Sequence, residues 1–334
     1  MRITVIADNR PETRNTALET EKVALGRGNT ATDPDKVVTD SERGALGTEH
    51  GLCFWIEGEG RMGLLDVGAS DLFLRNAARL GVDVAEVDFL VLSHAHNDHT
   101  GGLACFLEAN RRAKVYLSAN IRGARYFSNR RKDMRDISID YSLIQRFPER
   151  FVFVSDNLQL TPAVRIIAKI PVRHPLPLAD RTLFADAAPD TFNHEMALLL
   201  TGQTGSALIS SCTHLGLLNT LESCRPVTPD LFIGGLHLID SDPHPEVNNP
   251  TDSKTTPADS ETTPADSKIA HATSPACCFE TARDYESLAA TILESYPALH
   301  IYTGHCTGTQ AAAHLTRLLP DRFHLFHTAS TWEI

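Results

Sequence analysis

Apolar residues recur along this chain in two rhythms. Short runs rich in Val, Ile, Leu and Phe lie at 3–7, 53–57, 62–66, 87–93, 114–118, 151–155, 164–167, 197–200, 207–211, 231–233 and 300–302, which predicts strands. The second and third runs are separated by Gly58-Glu59-Gly60, a turn signal. Other segments space their apolar residues as a helix does. Residues 71–80 put Leu72, Phe73, Ala77 and Leu80 on one face, and Gly81 supplies the stop. Further helices are predicted at 101–110, 284–295 and 310–319. Strands that are both paired by turns and alternated with helices predict a layered α/β domain with mixed sheets.

Two stretches keep neither rhythm. Residues 240–268 hold seven acids and two lysines, a net of −5, and nearly repeat Thr-Thr-Pro-Ala-Asp-Ser at 255 and 262. With a proline in each repeat and no apolar seam, they cannot bury enough surface to offset their ordering entropy, which predicts disorder over about 240–276. Residues 10–44 have a similar polar composition and predict a long loop. The whole chain has 31 basic and 42 acidic residues, a net charge of −11, which argues against a general nucleic-acid binder. No apolar run reaches the ~20 residues of a membrane span, and the opening Met1-Arg2-Ile3-Thr4 reads as a first strand rather than a signal peptide. Seven cysteines, odd in number and without CxxC spacing, predict reduced thiols in a cytoplasmic protein. One segment reverses the charge: 111–135 carries nine basic residues against one acid, with Tyr116, Tyr126 and Phe127 interleaved. It reads either as a solvated face or as a positive wall for an anionic substrate, with Arg122 and Arg125 as candidate substrate contacts.

The candidate chemistry is concentrated at the end of one buried strand. Residues 89–93 run directly into His94-Ala95-His96-Asn97-Asp98-His99-Thr100-Gly101-Gly102, which places four potential metal ligands within six residues. His94 and His96 can converge on one side of a tight loop, with Asp98 and His99 facing a neighbouring position. Imidazole and carboxylate donors suit Zn²⁺, with Mn²⁺ or iron where oxygen ligands and open positions dominate.

This motif resembles the metallo-β-lactamase superfamily. Glu49-His50-Gly51-Leu52, Leu64-Leu65-Asp66-Val67-Gly68, Glu195-Met196-Ala197-Leu198, Ser211-Cys212-Thr213-His214, Gly234-Gly235-Leu236-His237-Leu238 and Thr303-Gly304-His305-Cys306-Thr307-Gly308 narrow it further. Together they are similar to a subgroup of dihydropterin ribofuranosylaminobenzene phosphate synthase-like metal-dependent hydrolases. The resemblance implies a four-layer αββα sandwich of two mixed β-sheets, a single domain over 1–334 enlarged by the two polar insertions. It implies one or two divalent metal ions: one held by His94, His96 and His214, the other by Asp98, His99 and His305. Many dinuclear members of the superfamily have a bridging aspartate after the strand that here ends in Ser211-Cys212. In this chain Cys212 either ligates or is a small buried hydrophobe. Asp66 either orients a ligating imidazole or makes an ordinary turn.

The function implied is hydrolysis of an ester, lactone or phosphate-ester bond of a small anionic, pterin-related substrate by a metal-bound hydroxide. Asp98 would orient or deprotonate the water. His237 would donate to the developing oxyanion or leaving group, and His50 would line the pocket. His194 has no supporting spacing and reads as structural. A metal-binding sensor without turnover is the alternative, and a nuclease a weaker one. No nucleic-acid or membrane partner is expected, and the oligomeric state is not legible.

Overall fold

The computed structural model describes residues 1–10, 45–130, 133–240 and 279–334. The two polar stretches lie almost wholly outside them. In chain order the strands are β1 (Arg2–Ala7), β2 (Cys53–Gly58), β3 (Arg61–Leu65), β4 (Phe89–Val91), β5 (Lys114–Ser118), β6 (Tyr126–Ser128), β7 (Arg135–Asp136), β8 (Phe151–Val154), β9 (Leu158–Thr161), β10 (Val164–Ile167), β11 (Leu183–Ala185), β12 (Ala188–Pro189), β13 (Ala197–Thr201), β14 (Ser206–Ser210), β15 (Leu231–Gly234), β16 (His300–Thr303), β17 (Phe323–Leu325) and β18 (Thr331–Glu333). The helices are α1 (Leu72–Arg79), α2 (Asn97–Thr100), α3 (Leu103–Ala109), α4 (Tyr141–Arg146), α5 (Leu217–Glu222), α6 (Ala282–Ser295) and α7 (Thr309–Leu318). No helix among the described residues is long and apolar enough to cross a membrane.

Two seven-stranded sheets carry the fold, in the orders β18-β1-β2-β3-β4-β5-β8 and β17-β16-β15-β14-β13-β10-β9. Each is antiparallel in one half and parallel in the other: β3, β4, β5 and β8 run parallel in the first, β14 to β17 in the second. The period-two alternation of the strands decides what each face covers. Along β14, Ala207 and Ile209 join Val5, Phe54, Leu65 and Val91 between the sheets, while Leu208 turns to Leu221, Ile292 and Leu315 of the helices. On the far side Ile6, Leu64, Leu90 and Val115 pack against Phe73 of α1 and Phe106 of α3. Three successive cores between four layers make the αββα sandwich that the resemblance implied.

The differences from the sequence pattern lie in short elements. A four-stranded sheet, β12-β11-β6-β7, flanks the main pair, and its strands of two or three residues are too short to show periodicity. The helix expected from residue 101 begins earlier, inside the histidine motif: His96 O accepts from His99 N and Thr100 N, both at 3.1 Å, so α2 starts at Asn97. The strand expected to reach Asp66 ends at Leu65.

Gly234 closes β15 where it must pass β14. A Cβ there would lie 1.7 Å from Ser210 O, a backbone atom that cannot yield without parting the parallel ladder. Gly234→Ala is expected to lower stability by about 3 kcal/mol, read as a shift of the denaturant midpoint. A midpoint shift worth less than about 0.5 kcal/mol would show that the ladder accommodates the methyl group.

Candidate metal centre

The candidate residues come from the carboxyl ends of parallel strands, where an open α/β edge gathers its loops. Asp66 follows β3, the His94–His99 motif follows β4, Cys212 and His214 follow β14, His237 follows β15 and His305 follows β16. Several of these ends turn through left-handed backbone without glycine: Asp66 (φ 61°), Thr213 (φ 60°), His237 (φ 49°) and His305 (φ 51°). Each costs about 1 kcal/mol relative to ordinary backbone, a cost concentrated where side chains must be aimed inward.

His94, His96 and His214 form the first cluster, with ring centroids 4.5 to 5.0 Å apart. The Nε2 atoms of all three are buried and have no hydrogen-bond partner. Two tautomers follow from their neighbours. Ser93 Oγ donates to Asp66 Oδ2 at 2.6 Å, so it accepts from Nδ1–H of His94 at 2.8 Å and leaves a lone pair on Nε2. Asp180 Oδ1 accepts from Nδ1–H of His214 at 2.7 Å, with the same result. Burial, ahead of any neighbouring charge, pushes His96 and His214 down to about 3 and His94 well below its ordinary value. Buried neutral imidazoles with unmet lone pairs on one side are the donor set a divalent cation satisfies; left unmet, each costs about 1–3 kcal/mol.

Asp98, His99, His305 and Cys212 form the second cluster. Asp98 Oδ2 is 3.5 Å from His99 Nε2 and 3.4 Å from His305 Nε2, and those two nitrogens are 3.1 Å apart. Asp66 Oδ2 accepts from His99 Nδ1 at 2.8 Å, which aims Nε2 at the others. Burial opposes a charge on His99, but the carboxylates of Asp98 and Asp66 outweigh it and hold the ring up at about 10. The field at this point therefore favours a positive charge. Cys212 Sγ is 3.2 Å from His99 Nε2 and lies within 4.8 Å of ligand atoms in both clusters, alongside His94 and His214 and alongside His99 and His305. The thiol thus stands between them, at the strand end where the superfamily often carries a carboxylate. The ligand types fit a transition-metal ion: nitrogen and sulfur with one carboxylate.

Around the clusters the structure assigns supports that the sequence did not reveal. Asp180, on a single 3-10 turn at Leu178–Thr182, lies 2.7 Å from both His214 Nδ1 and His237 Nδ1, although the second contact is out of line for a hydrogen bond. Glu195 accepts from His214 N at 2.8 Å and Leu215 N at 2.7 Å, fixing the loop after β14. Asn9 Nδ2 donates to His305 O at 2.8 Å, so the end of β1 holds the loop after β16. His194, read from sequence as structural, is buried with its ring 6.0 Å from that of His96 and its Nε2 3.0 Å from Asp190 Oδ2. Among these only Glu195 belonged to a quoted motif; the others stand in segments without periodicity.

The outer residues divide. His50 stacks on His305 at 5.1 Å with Nε2 3.6 Å from Asp98 Oδ2, and His237 lies 4.2 Å from His214, so both border the clusters. Arg122 and Arg125 do not. Arg122 lies over the Phe153 ring at 3.7 Å, and Arg125 pairs with Asp136 across the small sheet. A charge run tells that arginines are present, not which way each strand end points them. Among the described residues, the charge of Arg130 disfavours protonation of His237 and His50.

Known proteins agree with this architecture. Residues 46–194 match the family model of the metallo-β-lactamase superfamily. The chain is 25% identical over 215 residues to the 7,8-dihydropterin-6-methyl-4-(β-D-ribofuranosyl)-aminobenzene-5′-phosphate synthase of Methanocaldococcus jannaschii, covering 58% of this chain and 73% of that one. It is 25% identical over 195 residues to the uncharacterized protein MJ0448 of the same organism, covering 57% and 73%. The crystal structure of Tm1679, a metal-dependent hydrolase of the β-lactamase superfamily, aligns with a TM-score of 0.66 at 18% identity over 100% of this chain and 99% of that one. Over residues 46–194, which hold the histidine motif, the chain matches the metallo-β-lactamase superfamily, and its two sheets have the metallo-β-lactamase fold.

Proposed function

We propose that this chain is a metal-dependent hydrolase acting on an ester, lactone or phosphate-ester bond of a small anionic substrate. The observation that carries the reading is the set of three buried, partnerless Nε2 atoms of His94, His96 and His214 beside a second cluster whose field favours a cation. His94, His96 and His214 would hold one ion, and Asp98, His99 and His305 a second, with Cys212 a further candidate ligand beside both groups; Zn²⁺ suits this donor set best. When bound, such an ion lowers the pKa of water towards about 7 and polarises the oxygen of the scissile group. Asp98 orients the attacking water and accepts its proton. Burial would raise that carboxyl, but His99 and His305 hold it well below the usual range, so it stays ionised and would act as a base only in concert with a bound metal ion. His237, with Nδ1 turned to Asp180, presents Nε2 to the leaving group.

The archaeal relative is named for a product bearing a dihydropterin and a ribofuranosyl-aminobenzene 5′-phosphate, which supports phosphorylated pterins as one substrate class to try. The test is metal analysis of the purified protein combined with a panel of model phosphodiesters, lactones and phosphorylated pterins. Turnover of at least one class is expected, abolished by a chelator and restored by Zn²⁺ or Mn²⁺. A protein that binds metal yet turns over none of them would instead be a sensor on the same fold.

A further inference from the structure

Two buried thiols meet beside the metal centre, and the strands show why. Cys212 stands just past β14 and Cys306 just past β16, and β15 lies between those strands in the sheet. The residue after β15 is Gly235, whose N–H donates to Ser211 O at 2.9 Å. A Cβ on Gly235 would lie 2.4 Å from Cys306 Sγ and 3.6 Å from Cys212 Cα. The side chain that would part the two cysteines is therefore the one this position lacks.

Contacts tie the thiols to each other and to the site. Cys306 S–H donates to Cys212 O at 3.7 Å, and its sulfur accepts from His237 N at 3.3 Å. The Cys212 thiol hydrogen-bonds to that same sulfur. Cys212 Sγ is also 3.2 Å from His99 Nε2, so one sulfur stands between two alternative partners, the metal centre and a second thiol. Cys212 is 3% exposed and Cys306 8%, which keeps out a bulky thiol or disulfide and leaves an oxidant close to the size of water.

We propose that Cys212 and Cys306 are an oxidation site: hydrogen peroxide joins them in a disulfide, and the new bond withdraws Cys212 from the metal centre. The disulfide is independent of the hydrolase reading; its effect on metal rests on Cys212 standing among the ligands. The Cys306 sulfur, the more exposed of the two, attacks one peroxide oxygen. The O–O bond breaks, that oxygen stays on sulfur as a sulfenic acid, and the other leaves as water with the thiol proton. The Cys212 sulfur then attacks the Cys306 sulfur, the S–O bond breaks, and the hydroxyl leaves as a second water with the Cys212 proton. Two electrons thus pass from the thiol pair to the peroxide.

The purified protein, metal-loaded and metal-free, is treated with hydrogen peroxide, quenched with catalase, alkylated under denaturation and mapped by peptide mass spectrometry. A linked pair of peptides carrying Cys212 and Cys306 is expected, and dithiothreitol should separate it. In Cys306→Ser no such pair can form, and Cys212 is expected to run on to sulfinic acid. Cys224→Ser should leave the linked pair unchanged, and circular dichroism checks the fold of both variants. Competition against a chelator should find metal bound at least about tenfold more weakly in the oxidised protein, with recovery on reduction. Recovery of both cysteines as alkylated thiols, or linkage of either to another cysteine instead, would overturn the disulfide. A linked pair with unchanged metal affinity would overturn the withdrawal of Cys212. Because the peptide map is read without turnover, a silent substrate panel would sink the hydrolase reading and leave this result standing. Turnover with no linked pair would do the reverse.

Discussion

Replacing His94 and His96 together by alanine is expected to strip the purified protein of most of its metal and to lower kcat/KM by at least about 10³-fold. The size follows from the several kcal/mol that a bound ion contributes to charge stabilisation, at about 1.4 kcal/mol per tenfold. The two rings supply two of the three partnerless Nε2 atoms of the first cluster, so one imidazole, that of His214, would remain there. Both side chains are buried, His94 at the end of the chain of contacts from Asp66 through Ser93. The loop itself is held by its backbone: Asn97 N donates to Ile137 O at 2.8 Å, and Met196 N donates to Ser93 O at 2.7 Å. Those bonds survive the double substitution, so far-ultraviolet circular dichroism should be unchanged and the loss attributable to the ligands. Metal content is read by elemental analysis against protein concentration. Full retention in the double variant would refute the ligand assignment.

Most strands of the two main sheets were legible because they alternate or are apolar throughout and are bounded by turn residues, but the edge strands β9, β17 and β18 were not predicted. The histidine motif was legible because its spacing has no packing purpose, and His214 and His305 because each stands just past a predicted strand. What escaped shares a different property. Asp180 lies on a five-residue 3-10 turn, and Arg130 follows a three-residue strand; neither element is long enough to declare a face. The positions of both are set by tertiary pairing of β6 with β11, a contact between segments more than fifty residues apart that no local pattern encodes. The same gap explains Arg122 and Arg125. Composition counted the basic residues within 111–135, but a turn near Gly123 and the small sheet send those two side chains to Phe153 and Asp136. His194 is the opposite case: with no spacing to recommend it, it packs beside His96 because β13 begins three residues later against the end of β4.

Asp66→Asn is expected to weaken metal binding about 10- to 100-fold and to cost about 2–3 kcal/mol of stability, although it changes one atom. The carboxylate is fully buried and accepts three hydrogen bonds: Oδ1 from Ser93 N at 2.7 Å, and Oδ2 from Ser93 Oγ at 2.6 Å and His99 Nδ1 at 2.8 Å. An ionised acid can meet three donors; an amide has one oxygen and one NH₂ group. In one orientation the NH₂ faces Ser93 N–H, a donor that cannot turn. In the other it faces the Ser93 hydroxyl and His99 Nδ1–H, so both histidines that depend on this atom lose their fixed tautomers. His99 then no longer aims a lone pair at the second cluster, and Ser93 no longer fixes Nδ1–H of His94 in the first. One residue thus positions a ligand in each cluster. If Asp66 served only to turn the chain after β3, asparagine would be nearly as good there, since it tolerates left-handed backbone as aspartate does. Competition against a chromogenic chelator separates the two roles. An unchanged metal affinity accompanied by a lowered denaturant midpoint would leave Asp66 as a structural residue only; a fall in both is the result its three donors require.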